Sequence, residues 1–221
     1  MVLAYRVAGN PTSPPVVLLH GLGDDERDWQ IVLTALAERH RVYALDMRGH
    51  GRSARPGQYS FELMRDDVIG FLDAIGVERC VLIGHSMGAV VAVLVAEEAA
   101  HRLTHLILED ATAPRPGDLK RPPLAPPDTP TPFDFAVVNA IRAQLNDPDP
   151  AWWDGTAAVN VPTLIVGGAD SSVPQDLLAA TADRMPDATL LTIAAGHNVH
   201  REQPAEFLAA VEQFLAARPV G

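Results

Sequence analysis

The chain has 221 residues, 48% of them apolar, a single cysteine and a formal net charge of −11. That length and apolar content describe one globular domain with a sizeable core, not a disordered chain. The negative charge argues against nucleic acid or an anionic membrane as partner and favours a neutral small molecule as substrate. Cys80, the lone cysteine, excludes an internal disulfide and is expected as a small core residue.

In chain order, VLAYRVAG (2–9) and PPVVLLHG (14–21) read as strands, DWQIVLTALAER (28–39) as a helix and RVYALDMRG (41–49) as a strand running into a polar loop. SFELMRDDVIGFLDAIG (60–76) starts at a serine cap and stops at Gly76. ERCVLIGHS is a strand, MGAVVAVLVAEEAA a helix and LTHLILEDA (103–111) a strand. VPTLIVGGAD (161–170) and ATLLTIAAG (188–196) are strands; QDLLAATADRM (175–185) and AEFLAAVEQFLAAR (205–218) are helices. Alternation of this kind predicts an α/β fold, a mostly parallel sheet with helices on both faces.

Residues 113–160 break the rhythm. APRPGDLKRPPLAPPDTPTP (113–132) has too many prolines for a helix interior or central strand, and FDFAVVNAIRAQLN (133–146) reads as an amphipathic helix. The expectation is a single domain over 1–221 carrying a short proline-rich lid at 113–160, over a site at the carboxyl ends of the strands. The N-terminal residues do not read as a secretory signal and no apolar run reaches membrane-spanning length, so a soluble cytoplasmic protein without membrane partners is expected. Oligomeric state is left open.

Gly84-His85-Ser86-Met87-Gly88 joins a strand directly to a helix. Such a turn strains its apex residue, and flanking glycines relieve the clashes. Ser86 would then stand clear of the sheet at a helix N-terminus, where developing negative charge is favoured. A serine needs a base. Of the eight histidines, His197 lies in a loop after the last strand, on the same side as Ser86, with His200 expected as its exposed neighbour. His101 and His105 are four apart but not on one face, no third ligand is evident, and no metal site is expected. The base needs an acid, and two aspartates, Asp110 and Asp170, end strands between Ser86 and His197. Oxyanion donors are expected from the backbone of Met87 and of Leu22 in HGLG (20–23).

HGLGDDERDW (20–29), DMRGHGRS (46–53), GHSMG (84–88), PTLIVGGAD (162–170) and GHNVHREQPAEF (196–207) together resemble the α/β-hydrolase superfamily over nearly the whole chain. The resemblance implies a cofactor-free serine hydrolase, a carboxylic esterase, with Ser86, His197 and Asp170 as triad and Asp110 as alternative acid. It implies that Asp46, Arg48 and His50 brace their loop. The N-terminus begins inside what resembles the family's second strand, so the first strand is expected to be missing, and the lid is shorter than the usual cap. The same triad also serves thioesterases, perhydrolases, carbon–carbon hydrolases and lyases, and non-catalytic receptors share the fold. Trp29, Phe133, Trp152 and Trp153, in a chain only 5% aromatic, are expected to line the substrate pocket, with Phe135 beside them. Arg115, Lys120, Arg121 and Arg142 are the few cations of the insertion, too few for a basic pocket.

Overall fold

The computed structural model describes residues 1–117 and 121–218; Lys120 lies outside them. The strands are β1 (Tyr5–Ala8), β2 (Pro15–Leu19), β3 (Arg41–Leu45), β4 (Cys80–His85), β5 (Leu103–Glu109), β6 (Thr163–Gly168) and β7 (Ala188–Ile193). They form one sheet in the order β1-β3-β2-β4-β5-β6-β7. β1 runs antiparallel to β3, with Tyr5 opposite Leu45; every other neighbouring pair is parallel. From β2 the chain steps outward to β3, then returns to lay β4 on the other side of β2. The order therefore reverses between β2 and β4, and ligands bind in the crevice beyond strand ends at such a point.

The helices are α1 (Gln30–Leu36), α2 (Phe61–Ala74), α3 (Met87–Ala99), α4 (Ala136–Asn146), α5 (Pro150–Gly155), α6 (Gln175–Arg184), α7 (Val199–Glu202) and α8 (Pro204–Ala217). Side-chain alternation along β2 divides the core. Val16 and Leu18 pack with Trp29, Leu33, Phe207 and Val211 under α1 and α8, while Val17 and Leu19 pack with α2, α3 and the segment between β5 and β6. Helix α3 is buried almost all round, which is why it carries no polar stripe. Helix α2 buries Phe61, Met64, Val68, Phe71 and Leu72 at helical spacing, and the Ser60 hydroxyl caps it by accepting from the Leu63 N–H at 3.1 Å. Gly76 follows it at φ 68, the left-handed stop expected of it. Cys80 is buried, and burial raises its thiol to about 12, so it is not a nucleophile. No helix among the described residues is long and apolar enough to cross a membrane.

The excursion between β5 and β6 is anchored to the body. Asp134 accepts a hydrogen bond from the Tyr59 hydroxyl, and its N–H donates to Gly49 O at 2.7 Å. Gln144 of α4 accepts from the Phe61 N–H at 2.8 Å, which docks α4 on the start of α2. Helix α4 starts three residues later than its pattern predicts, because the Asp134 carboxylate accepts from the Ala136 N–H and sets the first turn there. Helix α5 is an addition to the sequence reading: Asp149 caps it and Pro150 opens it.

Candidate active site

Ser86 is the one residue between β4 and α3. Its backbone sits at φ 52, ψ −115, a strained conformation that costs about 1–3 kcal/mol. The neighbours hold it there: the Ser86 N–H donates to Glu109 O at 3.0 Å, and its carbonyl accepts from Ala89 N–H at 3.0 Å. A Cβ on Gly84 would lie 2.3 Å from Gly88 O, and one on Gly88 would lie 2.3 Å from Leu19 O. The glycines let α3 press onto β4 and β2 without a side chain between, and this contact lifts Ser86 out of the sheet.

His197 lies between β7 and α7. Its Nε2 is 2.9 Å from Ser86 Oγ and its Nδ1 is 2.7 Å from Asp110 Oδ2. Asp110 is fully buried directly after β5 and has a left-handed backbone, φ 47; Ser86 is the only other described non-glycine residue with positive φ. Its Oδ2 also accepts from the Ser171 hydroxyl, and its Oδ1 accepts from the Gly168 N–H at 3.0 Å. Burial works to raise the Asp110 pKa, but the bonds from His197, Gly168 and Ser171 outweigh it and hold the carboxyl below its ordinary value. An ionised Asp110 keeps the proton of His197 on Nδ1 and leaves Nε2 free to accept from Ser86.

The expectation of Asp170 as the acid is corrected here. Asp170 is exposed, its N–H donates to Ala195 O at 2.9 Å, and it makes no hydrogen bond to His197. The left-handed turn at Asp110 swings that carboxylate over the end of β6, into the place the sequence reading gave to Asp170. Ser171 was missed; its signal was its place directly after Asp170, at a strand end.

Leu22 and Met87 both border the cavity at Ser86. The Met87 amide opens α3 and has no helical carbonyl behind it. The loop of Leu22 is held by two buried histidines. His50 Nε2 accepts from the Gly23 N–H at 3.1 Å, and His20 Nε2 accepts from the Met47 N–H at 3.0 Å. Burial lowers both pKa values, that of His50 to about 3, so both rings are neutral and able to accept. Asp46 accepts from the Glu26 and Arg52 amides at 2.8 and 2.9 Å, and Arg48 forks onto Asp67 at 2.6 and 2.8 Å.

The cavity at Ser86 and His197 measures about 180 Å³. Its walls are mostly apolar, with Phe61 and Val90 on one side, Ile141 and Leu145 of α4 on another, and Val173 and Leu177 on a third. The four aromatic residues expected there do not line it. Trp29 is fully buried with the α1 and α8 side chains, stacked 4.2 Å from His200. Phe133 stacks over His50 at 5.7 Å, and Trp152 packs edge-on behind Phe61 at 5.6 Å. Trp153 lies between the guanidinium groups of Arg115 and Arg184, at 5.6 and 5.0 Å. Phe133, Trp152 and Trp153 hold the insertion to the body and stand behind or beside the wall, since packing claims large aromatic surfaces first, while Trp29 lies on the opposite side of the sheet. Arg121 borders the cavity, whereas Arg142 bonds Pro122 O at 2.9 Å.

Two histidines differ from their sequence reading or complete it. His200, expected to be exposed, is buried and faces Glu109 and Asp28. His105 bonds Arg218 O at 2.7 Å while His101 is exposed, so the two do not converge. Asp24, Asp28 and His85 bring ligand atoms within 4.8 Å of one another. Arg201 and His200 already neutralise the two carboxylates, however, and would repel a cation placed there.

The sequence profile of the Alpha/beta hydrolase family matches residues 16–211. The sn-1-specific diacylglycerol lipase of Mus musculus is 27% identical, with 97% of this chain and 85% of that protein covered. A hydrolase from Pseudomonas aeruginosa superposes with a TM-score of 0.84 at 27% identity, covering 96% of this chain and 94% of that one. An esterase from Thermogutta terrifontis superposes with a TM-score of 0.83 at 25% identity, covering 99% and 94%.

Proposed function

We propose that this chain, which belongs to the alpha/beta hydrolase family and is a hydrolase of that fold, cleaves small neutral carboxylic esters with Ser86 as nucleophile. The observation that carries the reading is the hydrogen-bonded line from Ser86 through His197 to Asp110, opening on an apolar cavity. Ser86 Oγ attacks the ester carbonyl carbon as its proton passes to His197 Nε2. The carbonyl oxygen becomes an oxyanion and accepts from the Leu22 and Met87 amides. The tetrahedral intermediate collapses, the C–O bond to the alcohol breaks, and His197 returns the proton to the departing oxygen. Water, activated by His197, then attacks the acyl-enzyme and releases the acid and free Ser86. Asp110 stabilises the imidazolium in both halves. No step draws on a cofactor or a metal.

The insertion acts as a small lid: Pro114, Arg121, Ile141 and Leu145 supply one side of the cavity. A cavity of about 180 Å³ is small beside ligand sites of roughly 300–1,000 Å³, which favours short acyl chains over long ones. The test is a series of p-nitrophenyl esters from acetate to dodecanoate, run beside matched acyl-CoA thioesters. The reading expects kcat/KM to be highest for the short oxygen esters and to fall beyond hexanoate. A maximum at dodecanoate or a preference for the thioesters contradicts it. A neutral ester against its carboxylated analogue at low and high salt tests the neutral preference, since Arg121 borders the cavity.

A further inference from the structure

His200 sits three residues after His197 and is 1% exposed. Its Nδ1 lies 2.9 and 2.8 Å from the two Glu109 carboxylate oxygens, and its Nε2 lies 3.0 Å from Asp28 Oδ1. Its backbone N–H donates to Glu109 Oε1 at 2.8 Å. Ionised carboxylates only accept hydrogen bonds, so both ring nitrogens must donate, and the ring carries both protons. Trp29 covers its face, and His85 and Phe207 stand edge-on at 5.2 and 6.2 Å. Arg201 bonds Asp28 and reaches Asp24 at 2.6 Å. Three carboxylates, Glu109, Asp28 and Asp24, thus surround two cations, His200 and Arg201, with His85 beside them.

The three segments that meet at His200 are those that bear the reactive groups. Glu109 directly precedes Asp110, and its carbonyl accepts the Ser86 N–H. Asp28 belongs to the short 3₁₀ turn Glu26–Trp29 that follows the Leu22 loop. His200 itself stands on the His197 segment, whose His197 carbonyl is held by His85 Nε2 at 3.0 Å. A two-carboxylate clamp on one ring is a costly device for plain packing, because an apolar trio of similar volume is often as stable.

We infer that His200 is a positioning residue: by bonding Glu109 and Asp28 together, it holds the segments carrying Asp110, His197 and Leu22 in one arrangement. The inference rests on the serine-esterase reading. Burial opposes the charge on His200, but the bonds and charges of Asp28 and Glu109 outweigh it and raise its pKa to about 9. Deprotonation would leave two buried carboxylates facing a ring that donates to only one of them, and the clamp would loosen. Misplacement of about 1 Å at a catalytic centre costs on the order of a hundredfold in rate.

The experiment measures kcat/KM against pH for a short p-nitrophenyl ester in the wild type, Ser86→Ala, His200→Gln and Asp28→Asn. Expected are a wild-type rate that depends on Ser86 and falls near pH 9, and a His200→Gln rate lower by roughly 10- to 100-fold in kcat, with KM little changed and no such fall. Asp28→Asn removes one of the two charges, so its fall moves to lower pH even if His200→Gln does not fold. A Ser86-dependent wild type whose alkaline fall is unmoved in Asp28→Asn, or whose His200→Gln variant keeps full activity, overturns the positioning role alone. Activity undiminished in Ser86→Ala overturns the esterase reading and this inference with it.

Discussion

Replacing Asp110 by asparagine tests the acid at a single atom. Asp110 Oδ2 faces His197 Nδ1 at 2.7 Å while Oδ1 accepts from the Gly168 amide at 3.0 Å. An asparagine NH₂ placed toward His197 would donate to Nδ1, drive the ring proton to Nε2 and leave Ser86 without a base. Turned the other way, the NH₂ would face the Gly168 N–H, donor against donor. Either orientation loses a buried bond, about 1–3 kcal/mol of stability. The first also loses the reactive tautomer, worth about 10⁴-fold in kcat, or about 5 kcal/mol of transition-state stabilisation. The assay is kcat and KM on p-nitrophenyl acetate, with thermal melting to establish that the variant is folded. Asp170→Asn is the control, and its exposed side chain predicts a rate within about twofold of wild type. A folded Asp110→Asn variant with more than a tenth of wild-type kcat, or a collapse in Asp170→Asn, would refute the assignment.

Three further outcomes follow from the packing. Gly88→Ala drives a methyl to 2.3 Å from Leu19 O and should cost roughly 3 kcal/mol or more, read as a large fall in melting temperature; a change of only a degree or two would mean that the elbow yields. Burial raises the Glu97 carboxyl to about 8, and its Oε1 has no partner. That group is neutral and harmless at low pH but destabilises progressively as pH rises from the ordinary carboxylate range through 8; Glu97→Gln should raise the melting temperature at pH 9 and not at pH 4, and equal effects at both would contradict the assignment. Leu145→Ala opens the α4 side of the cavity, where Leu145 is half-buried, so the preferred acyl chain should lengthen, and an unchanged chain-length profile would place the acyl group elsewhere.

The strands and longer helices were legible because their patterns are plain: β2 is a short continuous apolar run buried on both faces, and α2 shows a clean helical stripe. The elbow was legible because strand, glycine pair and helix occur together, and His197 because its loop follows a strand that must end at the same sheet edge as Ser86. The aspartate that bonds His197 was not, since Asp110 and Asp170 both end strands and the left-handed turn that brings the Asp110 carboxylate to His197 has no local sequence signal. Nor was the fate of the aromatic residues. Trp29 follows the Leu22 loop closely in sequence, yet its side chain passes to the opposite side of the sheet, where α8 and His200 wait for it. His200 reads as the exposed neighbour of His197; its burial depends on Glu109 and Asp28, 91 and 172 positions away, and no local pattern announces such partners.

Covalent labelling reads directly whether Ser86 is the nucleophile. The intact protein is treated with a fluorophosphonate, digested, and the modified peptide sequenced by mass spectrometry, alongside His197→Ala and Ser86→Ala. One adduct is expected, on Ser86, formed much more slowly in His197→Ala and absent in Ser86→Ala, with hydrolysis of short esters lost in step. An unlabelled Ser86 in a protein that still hydrolyses those esters would contradict it.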